Sequence, residues 1–188
     1  MKILVFAGST RRESLNRRLA RAAAEAVHAA GAEATLLELA DYPMPLLCGE
    51  YEAENGPPEN AFALQALIAD HTGLLIASPE HNHSISALLK NTLDWVSRTP
   101  RVRGANPFAG KVAGLMAASP GGLGGLQGLD PLERVMSTLG CLVLPQKVAV
   151  PHADKAFTPT GEWADFASEK RVAELVAAVV RVSAKLAA

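Results

Sequence analysis

Five apolar runs of strand length alternate with helical patterns along the whole chain, and this alternation restricts the fold more than any other feature of the sequence. The runs are Ile3–Ala7, Ala34–Leu39, Gly73–Ser78, Val112–Ala118 and Cys141–Val150, the last interrupted by Pro145. Between and after them, apolar spacing predicts helices over Leu15–Ala30, Asn60–Ala69, Ser86–Arg98, about Leu126–Leu139, and Glu162–Leu186, a final amphipathic helix that Trp163 and Phe166 begin. Strands that are apolar throughout need cover on both faces, and parallel neighbours need a crossover. Because such crossovers are right-handed, the expected fold class is α/β, a three-layer α/β/α sandwich around a five-stranded parallel sheet.

Composition narrows what such a fold is used for. With 188 residues and no internal repeat, low-complexity tract or interdomain linker, the chain reads as one domain spanning 1–188. A net charge of −1 offers no basic surface for a nucleic-acid backbone, so no nucleic-acid partner is expected. No apolar stretch reaches bilayer-spanning length, and the run after Lys2 is too short for a signal peptide. A cytoplasmic protein without membrane attachment is expected. Cys48 and Cys141 stand far apart, without CxxC or zinc-ligand spacing, so both thiols are expected to be reduced and no metal is expected.

In a doubly wound sheet, ligands bind beyond the carboxyl ends of the strands, where strand order reverses. The loops after the first, third and fourth strands should meet there, and all three are unusual. The first, Gly8-Ser9-Thr10-Arg11-Arg12-Glu13-Ser14-Leu15-Asn16, turns a strand into a helix. A helix N-terminus presents amides without acceptors and the positive end of the helix dipole, which suits a phosphate. Ser9, Thr10 and Ser14 add hydroxyl donors, Asn16 an amide and Arg11 or Arg12 a charge. The plainer alternative makes Ser14 a helix cap and the arginines solvated charge. The second loop, Pro79-Glu80-His81-Asn82-His83-Ser84, reads as a rigid polar turn whose backbone fits the edge of a flat heterocycle. The third, Ser119-Pro120-Gly121-Gly122-Leu123-Gly124-Gly125, exposes amides that suit negative charge, although glycine-rich turns also arise for steric reasons. The acidic stretch Asp41–Glu59 follows a strand's carboxyl end and reads either as a rim or lid of the site or as a surface excursion.

Taken together, Gly8-Ser9-x-Arg11-x-x-Ser14-x-Asn16, Pro79-Glu80-His81-Asn82-x-Ser84 and Leu89-Lys90-Asn91-x-x-Asp94-Trp95 resemble the NAD(P)H-dependent FMN reductase family, a flavodoxin-like group of quinone, chromate and azo-dye reductases. The resemblance implies strand order 2-1-3-4-5, non-covalent FMN, NADPH or NADH as co-substrate, and a homodimer or homotetramer. It implies hydride transfer through FMN to a small-molecule acceptor such as a quinone, flavin or azo compound, by a ping-pong mechanism. By the same resemblance Ser9, Thr10, Arg11, Ser14, Leu15 and Asn16 would surround the FMN phosphate, Pro79, Glu80, His81 and Asn82 would meet the ring, and Ser119, Gly121 and Gly122 would close its other side. Three positions depart from the pattern, which has tyrosine where this chain has His81 and Pro-Gly where it has Ser86-Ala87.

Flavin chemistry asks the protein for orientation and for donors near the ring's developing negative charge, so no side chain is nominated as catalytic. His81 reads as pocket-shaping, or as a proton donor to a reduced quinone. His81-Asn82-His83 carries no metal-ligand cluster, and His28, His71 and His152 read as structural or surface residues. A dinucleotide-binding Rossmann dehydrogenase is the nearest enzyme rival, but the first loop has one glycine where that fingerprint needs three, which leaves Glu38 without a ribose to contact. Two readings from other classes remain: an FMN-binding electron carrier or flavin-storage protein, and a flavin-free binding module. The near-neutral charge disfavours the carrier, since carriers that steer toward basic partners are acidic.

Overall fold

A computed structural model describes residues 1–186. Its sheet contains β1 (Lys2–Ala7), β2 (Glu33–Leu37), β3 (Gly73–Ala77), β6 (Val112–Ala118) and β7 (Leu142–Val150), all parallel, in the order β2-β1-β3-β6-β7. Counted among sheet strands alone, this is the expected 2-1-3-4-5. The two missing numbers belong to β4 (Glu80–His81) and β5 (Ser84–Ile85), an antiparallel hairpin inserted after β3.

Alternation along each strand sends side chains to opposite layers. Ile3, Val5 and Ala7 pack under α1 (Leu15–Ala29) and α6 (Phe166–Leu186). Leu4 and Phe6 pack under α3 (Glu59–Ala69), α4 (Ala87–Arg98) and α5 (Leu129–Thr138). Leu4, Val5 and Leu75 are wholly buried, and each such side chain contributes about 1.5–3 kcal/mol of apolar transfer. Val179 of α6 settles over two strand positions without a Cβ. A Cβ at Gly73 would lie 3.2 Å from Val179 Cγ1, and one at Gly114 would lie 2.7 Å from Val179 Cγ2.

The fifth strand keeps nearly the extent read from the sequence, and the final helix does not. Pro145 does not end its strand, because β7 is an edge strand and bulges there. Ala113 pairs with Val143 and Leu115 already with Lys147, so Pro145 sits where no ladder amide is required. The final helix starts at Phe166 rather than Glu162, since Asp165 caps it through the amides of Ala167 and Ser168. Trp163 lies outside that helix, bridged to Phe157 with ring centroids 4.5 Å apart.

The acidic stretch contains a short helix, α2 (Gly49–Asn55), and forms a strap along α4. Asn91 Nδ2 and Trp95 Nε1 both donate to the Pro45 carbonyl, at 2.9 and 2.7 Å, and Asn91 Oδ1 accepts the Leu47 amide at 2.8 Å. Arg98 adds an ion pair to Glu52 at 2.9 Å. The strap is therefore sutured to the flank of α4 and is neither rim nor lid of the cleft described next. Asn91 and Trp95, both in the third motif, are the side chains of α4 that make these bonds to the strap.

Candidate active site

Pairing of Ala7 with Ala77, and of Ala77 with Met116, aligns the carboxyl ends of β1, β3 and β6. The loops that leave these ends enclose a cleft of about 470 Å³. The first loop contributes Gly8, Ser9, Thr10, Arg11, Ser14, Leu15 and Asn16. The second contributes Pro79, Glu80 and His81, with Ser86, Ala87 and Leu88 from the start of α4, and the third contributes Ala118, Ser119 and Pro120.

The first loop is a compact turn ending in a capped helix. Ser14, almost fully buried, has extended backbone and accepts the Arg17 amide on its hydroxyl at 3.4 Å. Its own amide donates to the Arg11 carbonyl at 3.1 Å, which Arg17 Nη1 also reaches at 3.3 Å. Leu15 and Asn16 open α1, where backbone amides have no intrahelical acceptor. Arg11 is exposed, and among the described residues its guanidinium bonds only to the Glu13 carbonyl, at 3.1 Å, so its charge stays available. Ser14 thus caps α1 and also lines the cleft, with Leu15 and Asn16 beside it.

Asn16 is placed in the cleft lining but is occupied. Its Nδ2 donates to the Ala118 carbonyl and its Oδ1 accepts the Ala118 amide, both at 2.9 Å. This pairing fastens α1 to the end of β6, so one hydrogen of Nδ2 is committed away from any ligand. Glu38 is likewise taken, by Arg17 at 2.8 Å and Arg21 at 3.8 Å, and is unavailable to a ribose.

The second loop gains its rigidity from the hairpin. Asn82 and His83 occupy its two-residue turn with φ of 51° and 60°, the left-handed pair that a type I′ turn requires. Asn82 at the tip is consequently turned out of the cleft and lines a neighbouring hollow of about 840 Å³ with His83, Lys90, Asp130 and Arg134. His81 and Ala87 border both spaces. Glu80 anchors the hairpin, its carboxylate accepting the Gly128 amide at 2.9 Å ahead of α5. His83 adds a short contact from Nδ1 to Gln127.

The third loop is brought to the cleft only at its start. Gly124 and Gly125 adopt left-handed φ of 63° and 86°, folding the loop back so that a Cβ on Gly124 would lie 2.6 Å from the Pro151 nitrogen. Gly121 and Gly122 are left beyond the cleft lining, and the Gly121 amide donates to Ser119 Oγ at 3.2 Å. Sequence reasoning missed Ser86, Ala87 and Leu88 as lining residues. The hydroxyl ahead of a helical pattern at Ser86 was the available signal.

No group of three metal-ligating side chains occurs among the described residues, and no described helix is long and apolar enough to cross a membrane. Comparison with known proteins matches residues 1–155 to the model of the NADPH-dependent FMN reductase family. A quinone reductase of Escherichia coli (strain K12) is 30% identical over 167 residues, covering 88% of this chain and 86% of that protein. A 2-hydroxy-1,4-benzoquinone reductase of a Burkholderia species is 32% identical over 162 residues, covering 86% of this chain and 84% of that one. Among solved structures, the flavoenzyme NAD(P)H:(acceptor) oxidoreductase of Paracoccus denitrificans superposes with a TM-score of 0.81 at 27% identity, covering 98% of this chain and 97% of that one.

Proposed function

Because this chain belongs to the NADPH-dependent FMN reductase family, we propose that it is a flavoenzyme that oxidises NADPH or NADH and reduces a quinone or a similar small acceptor. The observation that carries this reading is the cleft that Ser9, Thr10, Arg11 and the first residues of α1 line together with the stiff hairpin. One end of that cleft is chemically an anion site and the other a polar wall, which fits a flavin carrying a single phosphate.

Bound FMN would supply two-electron hydride relay from reduced nicotinamide to the acceptor, in ping-pong half-reactions. The residues do the rest by placement. Ser9, Thr10, Arg11 and Ser14 hold the phosphate with the bare amides of Leu15 and Asn16. Pro79, Glu80 and His81 set the ring's edge, and Ser119 bounds its other side. His81, shared with the neighbouring hollow, shapes the space an acceptor enters. No side chain is asked to act as acid or base. A homodimer or homotetramer suits the exposed Leu123 of the glycine loop and Leu126 just after it, at 59% and 45% exposure. A cytoplasmic setting suits two unpaired thiols.

Titration with FMN, followed by anaerobic addition of NADPH or NADH, tests this reading. FMN binds, riboflavin binds much more weakly, and reduced nicotinamide bleaches the flavin band. A bound flavin that stays oxidised identifies a carrier or storage protein instead, and a protein that binds no FMN ends the proposal.

A further inference from the structure

Ser86 joins the two halves of the cleft. Its hydroxyl donates to the Gly8 carbonyl at 2.6 Å and accepts the Leu89 amide at 3.1 Å, and the side chain is almost fully buried. Gly8 is where β1 stops pairing. Its amide still reaches the Ala77 carbonyl at 2.9 Å, but its own carbonyl lies past the last paired residue of β1 and is met by Ser86. A buried carbonyl left without a donor costs as much as a lost hydrogen bond. The contact is also sterically confined, since a Cβ on Gly8 would sit 3.0 Å from Leu89 Cβ and 3.3 Å from Pro79 Cδ. The residues after Gly8 carry the free amides and Arg11; those just before Ser86 form the hairpin.

We propose that Ser86 is a positioning residue that holds the phosphate-binding loop in register with the ring-binding hairpin, so that both ends of one FMN molecule are gripped together. The proposal rests on the FMN assignment above. Without a hydroxyl at this position the bond to the Gly8 carbonyl is lost, and with it the latch. Its loss displaces the phosphate donors relative to the hairpin. FMN uses both ends and is penalised, whereas riboflavin uses the ring end alone.

Wild type, Ser86→Ala, Ser86→Gly and Ser86→Thr are titrated with FMN and with riboflavin, and melting is recorded for each. Glycine is tolerated at a helix cap nearly as well as serine, so Ser86→Gly removes the latch while sparing α4. Loss of the hydroxyl weakens FMN binding by roughly tenfold and riboflavin binding by less than about threefold, and Ser86→Thr retains the wild-type ratio of the two affinities. If Ser86→Ala fails to fold, the comparison of the glycine and threonine variants decides. An FMN-to-riboflavin ratio unchanged in the hydroxyl-free variants overturns the proposal, whether both affinities fall together or neither falls. Wild type that binds no FMN overturns the flavin assignment itself, and the first titration reveals this.

Discussion

Cys48 and Cys141 are the same residue in opposite surroundings. Cys48 is exposed at the start of α2, its thiol donating to Glu50 at 2.8 Å, while Cys141 is buried and donates to the Phe108 carbonyl at 3.4 Å. Burial pushes the Cys141 thiol up to about 12, against a smaller opposing pull from Lys111. Since the thiolate is the reactive form, Cys141 is inert at ordinary pH. A chromogenic disulfide reagent at pH 8 therefore finds one fast thiol in native protein and two after denaturation; two fast thiols in the native state would contradict this burial. The sequence showed that these cysteines form no motif but not which one was buried. Asn16 makes the same point more sharply. Its amide has the right chemistry for an anion, and the sequence placed it at the right turn. Its partner is Ala118, 102 residues away, and no local pattern announces that pairing. Glu38 was legible as a strand-end carboxylate but not as the counter-charge of Arg17 and Arg21.

Among the elements, α6 offers the clearest pH test. Its cap, Asp165, accepts the Ser168 hydroxyl at 2.6 Å and the Ala167 and Ser168 amides at 3.1 and 3.2 Å. These bonds, that from the Ser168 hydroxyl first, hold its carboxyl below the usual carboxylate range. A depressed folded-state value means that the stabilisation is complete above the unfolded value, near 4, and disappears as pH falls through the folded one. Asp165→Ala is expected to cost about 1 kcal/mol at pH 7. Asp165→Asn costs less, and its deficit relative to wild type narrows in acid. Urea unfolding at neutral and acid pH checks this, and a deficit independent of pH refutes it. The strong periodicity of α1, α4 and α5 made them legible within a few residues. The hairpin was read only as a rigid turn, because strands of two residues each carry no alternation to detect. The helix within the strap was missed for a related reason: α2 buries no residue and so has no apolar face to betray it.

At the scale of the whole molecule, the layer order and the meeting of three loops followed from topology, since parallel strands in this order have one reversal point and their carboxyl ends share one edge. What topology could not supply was which part of each loop lines the cleft, and Gly121, Gly122 and Asn82 lie outside that lining. The seat of α6 on the sheet was equally hidden. Gly73 and Gly114 sit on neighbouring strands, and Val179 fills the space above both. Alanine at either one is expected to cost about 1–3 kcal/mol by overpacking. Because both changes push on the same helix, Gly73 through Ser183 and Val179 and Gly114 through Val179, the double variant costs less than the sum of the two. Denaturant unfolding of the four proteins measures the coupling, and simple additivity would show that the helix is not lifted as a unit. Each glycine thereby guards the other through a shared neighbour: while both stand, either substitution is penalised in full, and after one has changed, the second changes under relaxed constraint, so that in descendants of this sequence the two positions are expected to drift as a pair.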